Sequence, residues 1–120
     1  MYLAAARNVA LPADSLTADG WYPIKDIWVV DGSYEGPVLV RGGRVDGEGP
    51  LQLAWNPMTP MQDSLVIDPS SPSLQTDPAT GWRSVPTEAF VRSPGCYSYQ
   101  LDGVGFTSYI VFEASASASA

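Results

Sequence analysis

The chain has 120 residues, with 6 Lys and Arg against 13 Asp and Glu, which gives a formal net charge of −7. It contains no histidine and one cysteine, so His-based catalytic triads, His-ligated zinc, copper or iron sites and an intrachain disulfide are excluded. The acidic balance argues against nucleic acid or an anionic membrane as the main partner, because both attract clustered Lys and Arg. No apolar run reaches the roughly 18 residues of a membrane span.

The opening segment, Met1–Leu11, is apolar and carries Arg7 as its one charged side chain. Its apolar run is too short for a signal peptide, and its cation follows that run instead of preceding it. We assign residues 1–20 to an N-terminal arm. An uncharged terminal segment can add to the edge of a neighbouring sheet, so this arm is a candidate contact between copies.

Glycine and proline interrupt the chain too often for helices of ordinary length. There are 11 of each, and outside the C-terminal tail no stretch longer than Met1–Leu11 lacks both. Asp-Gly pairs supply the turn chemistry between short strands. Residues 21–113 are therefore predicted to form a single all-β domain, an antiparallel β-sandwich of about seven strands. The predicted strands are Lys25–Val30, Pro37–Arg41, Leu51–Trp55, Ser64–Ile67, Thr87–Arg92, Cys96–Leu101 and Val104–Glu113.

The last two predicted strands are joined by Asp102-Gly103, which fits the two-residue loop of a type I′ hairpin. The final strand has no charge and no proline before Glu113, so it lacks the features that keep an edge strand from pairing with another chain. We expect one terminus of the protein to pack against another copy.

Two further segments leave alternatives open. Between residues 68 and 81 the composition changes to Ser, Pro, Asp and Thr, which indicates a long surface loop, either a passive connection or a binding loop. The tail, residues 114–120, alternates Ala and Ser. It is either a flexible end or a strand that lies against the sheet edge of another chain.

A tyrosine pattern begins the penultimate strand, where Tyr97, Tyr99 and Leu101 share one face. Immunoglobulin-type sandwiches carry Gly-x-Tyr-x-Cys at this place, and here the pattern is Gly-x-Tyr-x-Tyr. Tyr97 is predicted to be the corner tyrosine, whose hydroxyl binds the preceding backbone, and Tyr99 takes the core position of a disulfide cysteine. Cys96 falls on the opposite face as an inert, partly buried thiol. The sandwich is therefore predicted to be immunoglobulin-like.

The tryptophans fall into two groups. Trp28 and Trp55 lie inside predicted strands and are assigned to the core. Trp21, Tyr22 and Trp82 lie beside Gly or Pro in loops. Two roles stay open for these three: they cap the ends of the sandwich, or they contact a sugar or a partner protein.

The residues predict no catalytic machinery. The 13 carboxylates are numerous enough for a glycosidase pair, but most lie at turn positions, where Asp binds the backbone. We therefore predict no catalytic residues, no cofactor and no metal, with calcium as the exception to test. Calcium prefers oxygen ligands, although the Asp-rich turns lack the ligand spacing of an EF-hand.

Two blocks of the sequence resemble a bacterial family. The first is Gly36–Gly42 followed by Val45–Gly47, and the second is Pro94–Gly103 followed by Phe106–Phe112. Both are similar to blocks of uncharacterised secreted or lipid-anchored bacterial proteins, chiefly of actinobacterial and Chloroflexi type. The resemblance implies an extracellular or cell-surface location, and it implies no activity.

These observations predict a non-catalytic protein. The favoured hypothesis is an extracellular or surface structural subunit, on a cell or a virion, that self-assembles with other copies through edge strands or termini. The alternative is a monomeric module that binds a carbohydrate or a protein through the loop aromatics. Size-exclusion chromatography with light scattering distinguishes the two, since the subunit assembles and the module stays a monomer.

Overall fold

The computed structural model describes residues 1–3 and 8–116. Within them the chain forms one short 3-10 helix, Ala13–Ser15, and ten β-strands. No helix in this part of the chain is long and apolar enough to cross a membrane. Residues 4–7 and 117–120, which include Arg7 and the end of the predicted tail, lie outside the described residues. The strands are β1 Tyr2–Leu3, β2 Asn8–Leu11, β3 Tyr22–Val30, β4 Val38–Arg44, β5 Leu51–Ala54, β6 Ser64–Ile67, β7 Gln75–Thr76, β8 Arg83–Val91, β9 Gly95–Gly103 and β10 Phe106–Ala116.

The described strands form two sheets that enclose one core. One sheet has the order β1-β3-β8-β5, with β7 also paired to β8, and the other has the order β2-β10-β9-β4-β6. Among these strands every pairing is antiparallel except that of β2 with β10, which is parallel. The fold is thus an all-β, antiparallel, immunoglobulin-like sandwich, which confirms the predicted fold class. It has ten described strands instead of about seven, because the short strands β1, β2 and β7 were not predicted.

Alternation along the strands builds the core, because successive side chains of a strand face opposite sides of the sheet. In β3, Ile24, Trp28 and Val30 are buried, whereas Lys25 and Ile27 face solvent. In β9 and β10 the same period turns apolar side chains towards β3 from the other sheet. These side chains are Tyr97, Tyr99, Leu101 and Phe112.

The predicted N-terminal arm contributes a strand to each sheet. Tyr2 and Leu3 pair with the end of β3, and the next strand, β2, pairs with Glu113–Ala116 of β10. Leu11, at the end of β2, is buried in the core. The described part of the predicted tail is therefore held within its own chain, by β2, and it does not need the second copy that the sequence led us to expect.

The turn of the β9–β10 hairpin lies two residues later than predicted. Gly103 pairs with Phe106, so Val104 and Gly105 form the loop. Gly105 has a φ of +80°, whereas Val104, like every other described non-glycine residue, has no positive φ. A positive φ at the second loop residue alone fits a type II turn, because type I′ requires a positive φ at both. Gly103 is needed for another reason: a Cβ there would meet the ring of Phe106.

The predicted loop at residues 68–81 is anchored at several points. Leu74 is buried in the core, and Gln75–Thr76 pairs with β8. Arg83 fastens the same end of the molecule, because its guanidinium donates to the carbonyl of Pro69 at 3.2 Å and to that of Asp31 at 2.9 Å. Most of the remaining side chains of this segment are exposed.

Candidate functional site

Trp21, a predicted loop contact, is buried. Its indole packs against Ala54 and Phe90 in a small apolar cluster. The guanidinium of Arg92 covers it, 4.0 Å from the ring centroid, in a cation–π contact. Trp21 is therefore packed within its own chain, with 9% of the residue exposed.

Tyr22 and Trp82 lie at opposite ends of one ladder. Tyr22 pairs with Val91 at the start of β3, whereas Trp82 precedes the opposite end, where Val30 pairs with Arg83. At about 3.4 Å per residue, these ends are about 27 Å apart. Trp82 also stacks on Tyr2, with ring centroids 5.5 Å apart. The three loop aromatics therefore share no common binding surface.

The residues predicted to be structural take different positions. Tyr97 is fully buried, and its hydroxyl donates to the carbonyl of Ser93 at 2.7 Å, the geometry of a tyrosine corner. Trp55 was expected in the core, but β5 ends at Ala54. Its side chain is therefore half-buried and packs against the margin of the core.

Tyr99 joins the two sheets through a polar contact that the sequence reasoning missed. Its hydroxyl donates to the carboxylate of Asp26, which is 1% exposed. Burial raises the pKa of Asp26 to about 6, against the lowering effect of the Tyr99 hydrogen bond. Burial and the nearby Asp26 charge raise the pKa of Tyr99 as well. The available signal was the alternation of β3, which places Asp26 on the same face as Ile24 and Trp28.

The outer edge of β10 is the feature with the clearest capacity for interaction. On its inner side β10 pairs with β9 from Phe106 to Ala114. On its outer side β2 covers only Glu113–Ala116. Among the described residues, no strand pairs with Phe106–Phe112 on that side. These seven residues, which we call the free edge, contain no charge and no proline.

Three other sheet edges carry protective features that the free edge lacks. The exposed edge of β3 contains Pro23 and Lys25. β6 has four residues and ends before Asp68-Pro69. β5 is bridged on its outer side, where Leu53 pairs with Gln62. The edge strand β2 also lacks charge and proline, but it has four residues. Among these edges of the described chain, the free edge of β10 is therefore the longest without a protective feature.

Packing on its inner face holds the free edge rigid. Phe112 stacks on Tyr99 and Tyr97, with centroid distances of 5.1 and 5.7 Å. At the other end, the ring of Phe106 meets Tyr34 edge to face, and the Tyr34 hydroxyl accepts the backbone N–H of Val104 at 2.9 Å. A strand fixed at both ends loses little conformational freedom when another strand pairs with it.

The outward side chains of the free edge are largely apolar. Tyr109 is 65% exposed and Val111 is 56% exposed. Over residues 1–3 and 8–116, no three acidic or cysteine side chains come together as a metal site would require. The arrangement therefore offers main-chain hydrogen bonds and apolar contact to another strand.

Comparisons with known proteins add a structural likeness. No family model matches the chain, and no curated protein sequence matches it. A solved structure, the CooA pilin subunit from enterotoxigenic Escherichia coli, is similar with a TM-score of 0.48 and 13% sequence identity, over 98% of this chain and 93% of that one. Function is therefore inferred from the geometry of β10 alone.

Proposed function

We propose that the protein is a non-catalytic structural subunit that associates with a second copy of itself through the free edge of β10. The observation that carries this proposal is a seven-residue strand edge, Phe106–Phe112, without charge, proline or a described pairing partner on one side. Such an edge presents unpaired N–H and C=O groups to any extended chain. Pairing with a second copy satisfies them whatever the side chains are.

The covered part of β10 determines the register of this pairing. Among the described residues, β2 occupies the edge from Glu113 onwards, so the stretch that they leave unpaired is centred on Tyr109. Antiparallel pairing of all seven residues then places Tyr109 opposite Tyr109 of the second copy, and Thr107 opposite Val111 of the second copy. The contact is isologous, with a two-fold axis at Tyr109.

Charge also favours this register. Each chain carries a net charge of −7, so two copies repel each other wherever their acidic groups meet. In the proposed register Glu113 lies beside Gly105 of the second copy, and the two Glu113 side chains are about 27 Å apart along the strands. That distance exceeds a Debye length of about 8 Å at physiological salt, so their repulsion is screened.

An isologous contact closes at two copies, so the expected product is a dimer with one continuous sheet across it. Any larger assembly needs a second surface. We place the subunit outside the cell or on a cell or virion surface, and the support for this location is the likeness of its two sequence blocks to secreted or lipid-anchored proteins.

The test places a charge at the two-fold axis. In Tyr109→Lys two ammonium groups face each other across the dimer, and like charges directly opposite destabilise a strand pair. The matched control is Val66→Lys on β6, because Val66 is also exposed, on the opposite edge strand of the same sheet. Sedimentation velocity over a concentration series measures association, and far-UV circular dichroism checks the fold.

We expect the unmodified chain and Val66→Lys to dimerise with rising concentration, and Tyr109→Lys to remain monomeric. Tyr109→Glu should also remain monomeric, whereas an equimolar mixture of the Lys and Glu variants should recover the dimer. An unmodified chain that stays monomeric at high concentration rejects the proposal. Dimerisation by Tyr109→Lys alone, or no recovery in the mixture, rejects the two-fold contact.

A further inference from the structure

A cavity of about 330 Å³ opens between the two sheets on the side where β1 and β3 approach β10. Most of its described wall is apolar, and its polar groups include Asp26 and Tyr99, which are both buried. We call this space the seam cavity. The main apolar wall residues are Leu3, Val9, Ile24, Ile110 and Phe112.

A charged Asp26 side chain destabilises the fold at this buried position unless a cation or hydrogen bonds compensate for its lost hydration. A buried carboxylate without a cation loses its hydration, and the effective penalty in proteins is several kcal/mol. Among the described residues no cationic side chain forms an ion pair with Asp26, and Tyr99 is its side-chain hydrogen-bond donor. A carboxylate has about four acceptor positions, so the contacts of the described residues leave most of that capacity unused.

The geometry points to a ligand, and we propose that the seam cavity binds a small molecule with an apolar body and one cationic head, of the primary alkylamine class. Its ammonium group lies against Asp26, where a charge-assisted hydrogen bond forms in a poorly hydrated site. Its hydrocarbon chain lies between Ile24 and Ile110. The cavity volume is at the lower end of the range of about 300–1,000 Å³ for ligand pockets, so the ligand is small.

The test uses three six-carbon probes on the full chain: hexylamine, hexanol and hexanoate. They share the same apolar body and differ in the head group, so a difference in affinity reports on Asp26. Two-dimensional amide NMR titrations give the Kd and show whether the shifts lie at Ile24 and Ile110. We expect hexylamine to bind at least tenfold more tightly than hexanol, and hexanoate to show no saturable binding.

Two kinds of variant locate the site. Asp26→Asn keeps the side-chain volume and removes the negative charge, so hexylamine should lose at least tenfold in affinity while hexanol stays unchanged. Ser108→Phe fills the cavity, because Ser108 lines it, and should abolish binding of both probes. Its control is Val66→Phe, on the exposed face of β6 and outside both the cavity wall and the free edge, which should leave binding intact.

Equal binding of hexylamine and hexanol, no binding of either, or tight hexylamine binding to Ser108→Phe each overturns the proposal. If Asp26→Asn does not fold, the probe comparison and the Ser108/Val66 pair still decide it. The cavity shares Ser108, Ile110, Val111 and Phe112 with the free edge. The probe titrations measure ligand binding and sedimentation measures association, so a failure here leaves the β10 edge proposal intact.

Discussion

At the scale of single residues, the alternation of side chains along a strand predicts which of them enter the core. It does not predict which partner a buried polar side chain has there. Tyr97 and Tyr99 could be assigned inward positions from their spacing, and both are fully buried. Asp26 has the same inward spacing, yet its partner Tyr99 is 73 residues away in sequence. Such a pair depends on how the two sheets are aligned, which no local pattern encodes.

Asp26 also gives the protein a pH dependence of known sign. Its pKa is about 6 in the folded state, raised chiefly by burial, against about 3.9 for an unfolded Asp. Between those values the folded state binds more protons than the unfolded state, so the free energy of unfolding falls as pH rises from 4 to 6. The loss approaches about 3 kcal/mol and is complete above pH 6 to 7.

Urea unfolding of the unmodified chain and of Asp26→Asn, at pH 4 and at pH 7, measures this effect. The variant serves as the control, because it retains the other carboxylates whose pKa values are lowered, such as Asp46 and Asp102. Relative to the variant, the unmodified chain should be more stable at pH 4 than at pH 7. A difference between the two proteins that does not change with pH would show that Asp26 does not titrate in this range.

At the scale of elements, the strands were predictable and the turn of the final hairpin was only partly so. Asp102-Gly103 and Val104-Gly105 both contain a glycine that suits a turn. The choice between them depends on packing: with Gly103 inside the strand, the ring of Phe106 lies over it and meets Tyr34. Tyr34 belongs to a loop that is distant in sequence, so the position of the turn could not be predicted from the residues of the turn itself.

The turn gives a prediction that distinguishes the cost of backbone conformation from the cost of a steric clash. At Gly105, φ is +80° and a Cβ would meet nothing within 4 Å, so the conformation alone resists substitution. Gly105→Ala should therefore lower the free energy of unfolding by about 1–2 kcal/mol, the cost of a left-handed conformation for an ordinary L-residue. Gly105→Asn should lose less, because Asn tolerates that conformation. Equal losses for the two variants, measured by urea unfolding, would contradict the assigned turn.

At the scale of the whole molecule, Gly and Pro spacing predicted one antiparallel sandwich, because short strands between turns can bury their apolar faces by packing one sheet on another. The N-terminal arm is a candidate contact with another copy, and its described residues supply an edge strand to each sheet of their own chain. The pairing of β2 with Glu113–Ala116 joins the two ends of the sequence. The composition shows that both ends of the chain can form strands that pair with a sheet edge. Whether that edge belongs to the same chain or to another copy depends on the three-dimensional path of the backbone.

Deleting Met1–Leu11 therefore tests how far the arm belongs to the fold. The deletion removes the buried side chain of Leu11, worth about 1.5–3 kcal/mol, and the hydrogen bonds of β2 to β10, worth about 0.5–1.5 kcal/mol each. We expect the free energy of unfolding to fall by about 3–6 kcal/mol, a large part of the total for a domain of this size. Deleting Met1–Leu3 alone should cost much less, because β1 has two residues and Tyr2 is exposed.

Urea unfolding monitored by Trp fluorescence compares the three chains. Equal stability of all three would show that β2 is an appendage, and terminal deletions could then test assembly directly. A large loss of stability for the longer deletion would mean that the deletion changes both folding and the length of the free edge. Substitutions at Tyr109 are then the cleaner test of association.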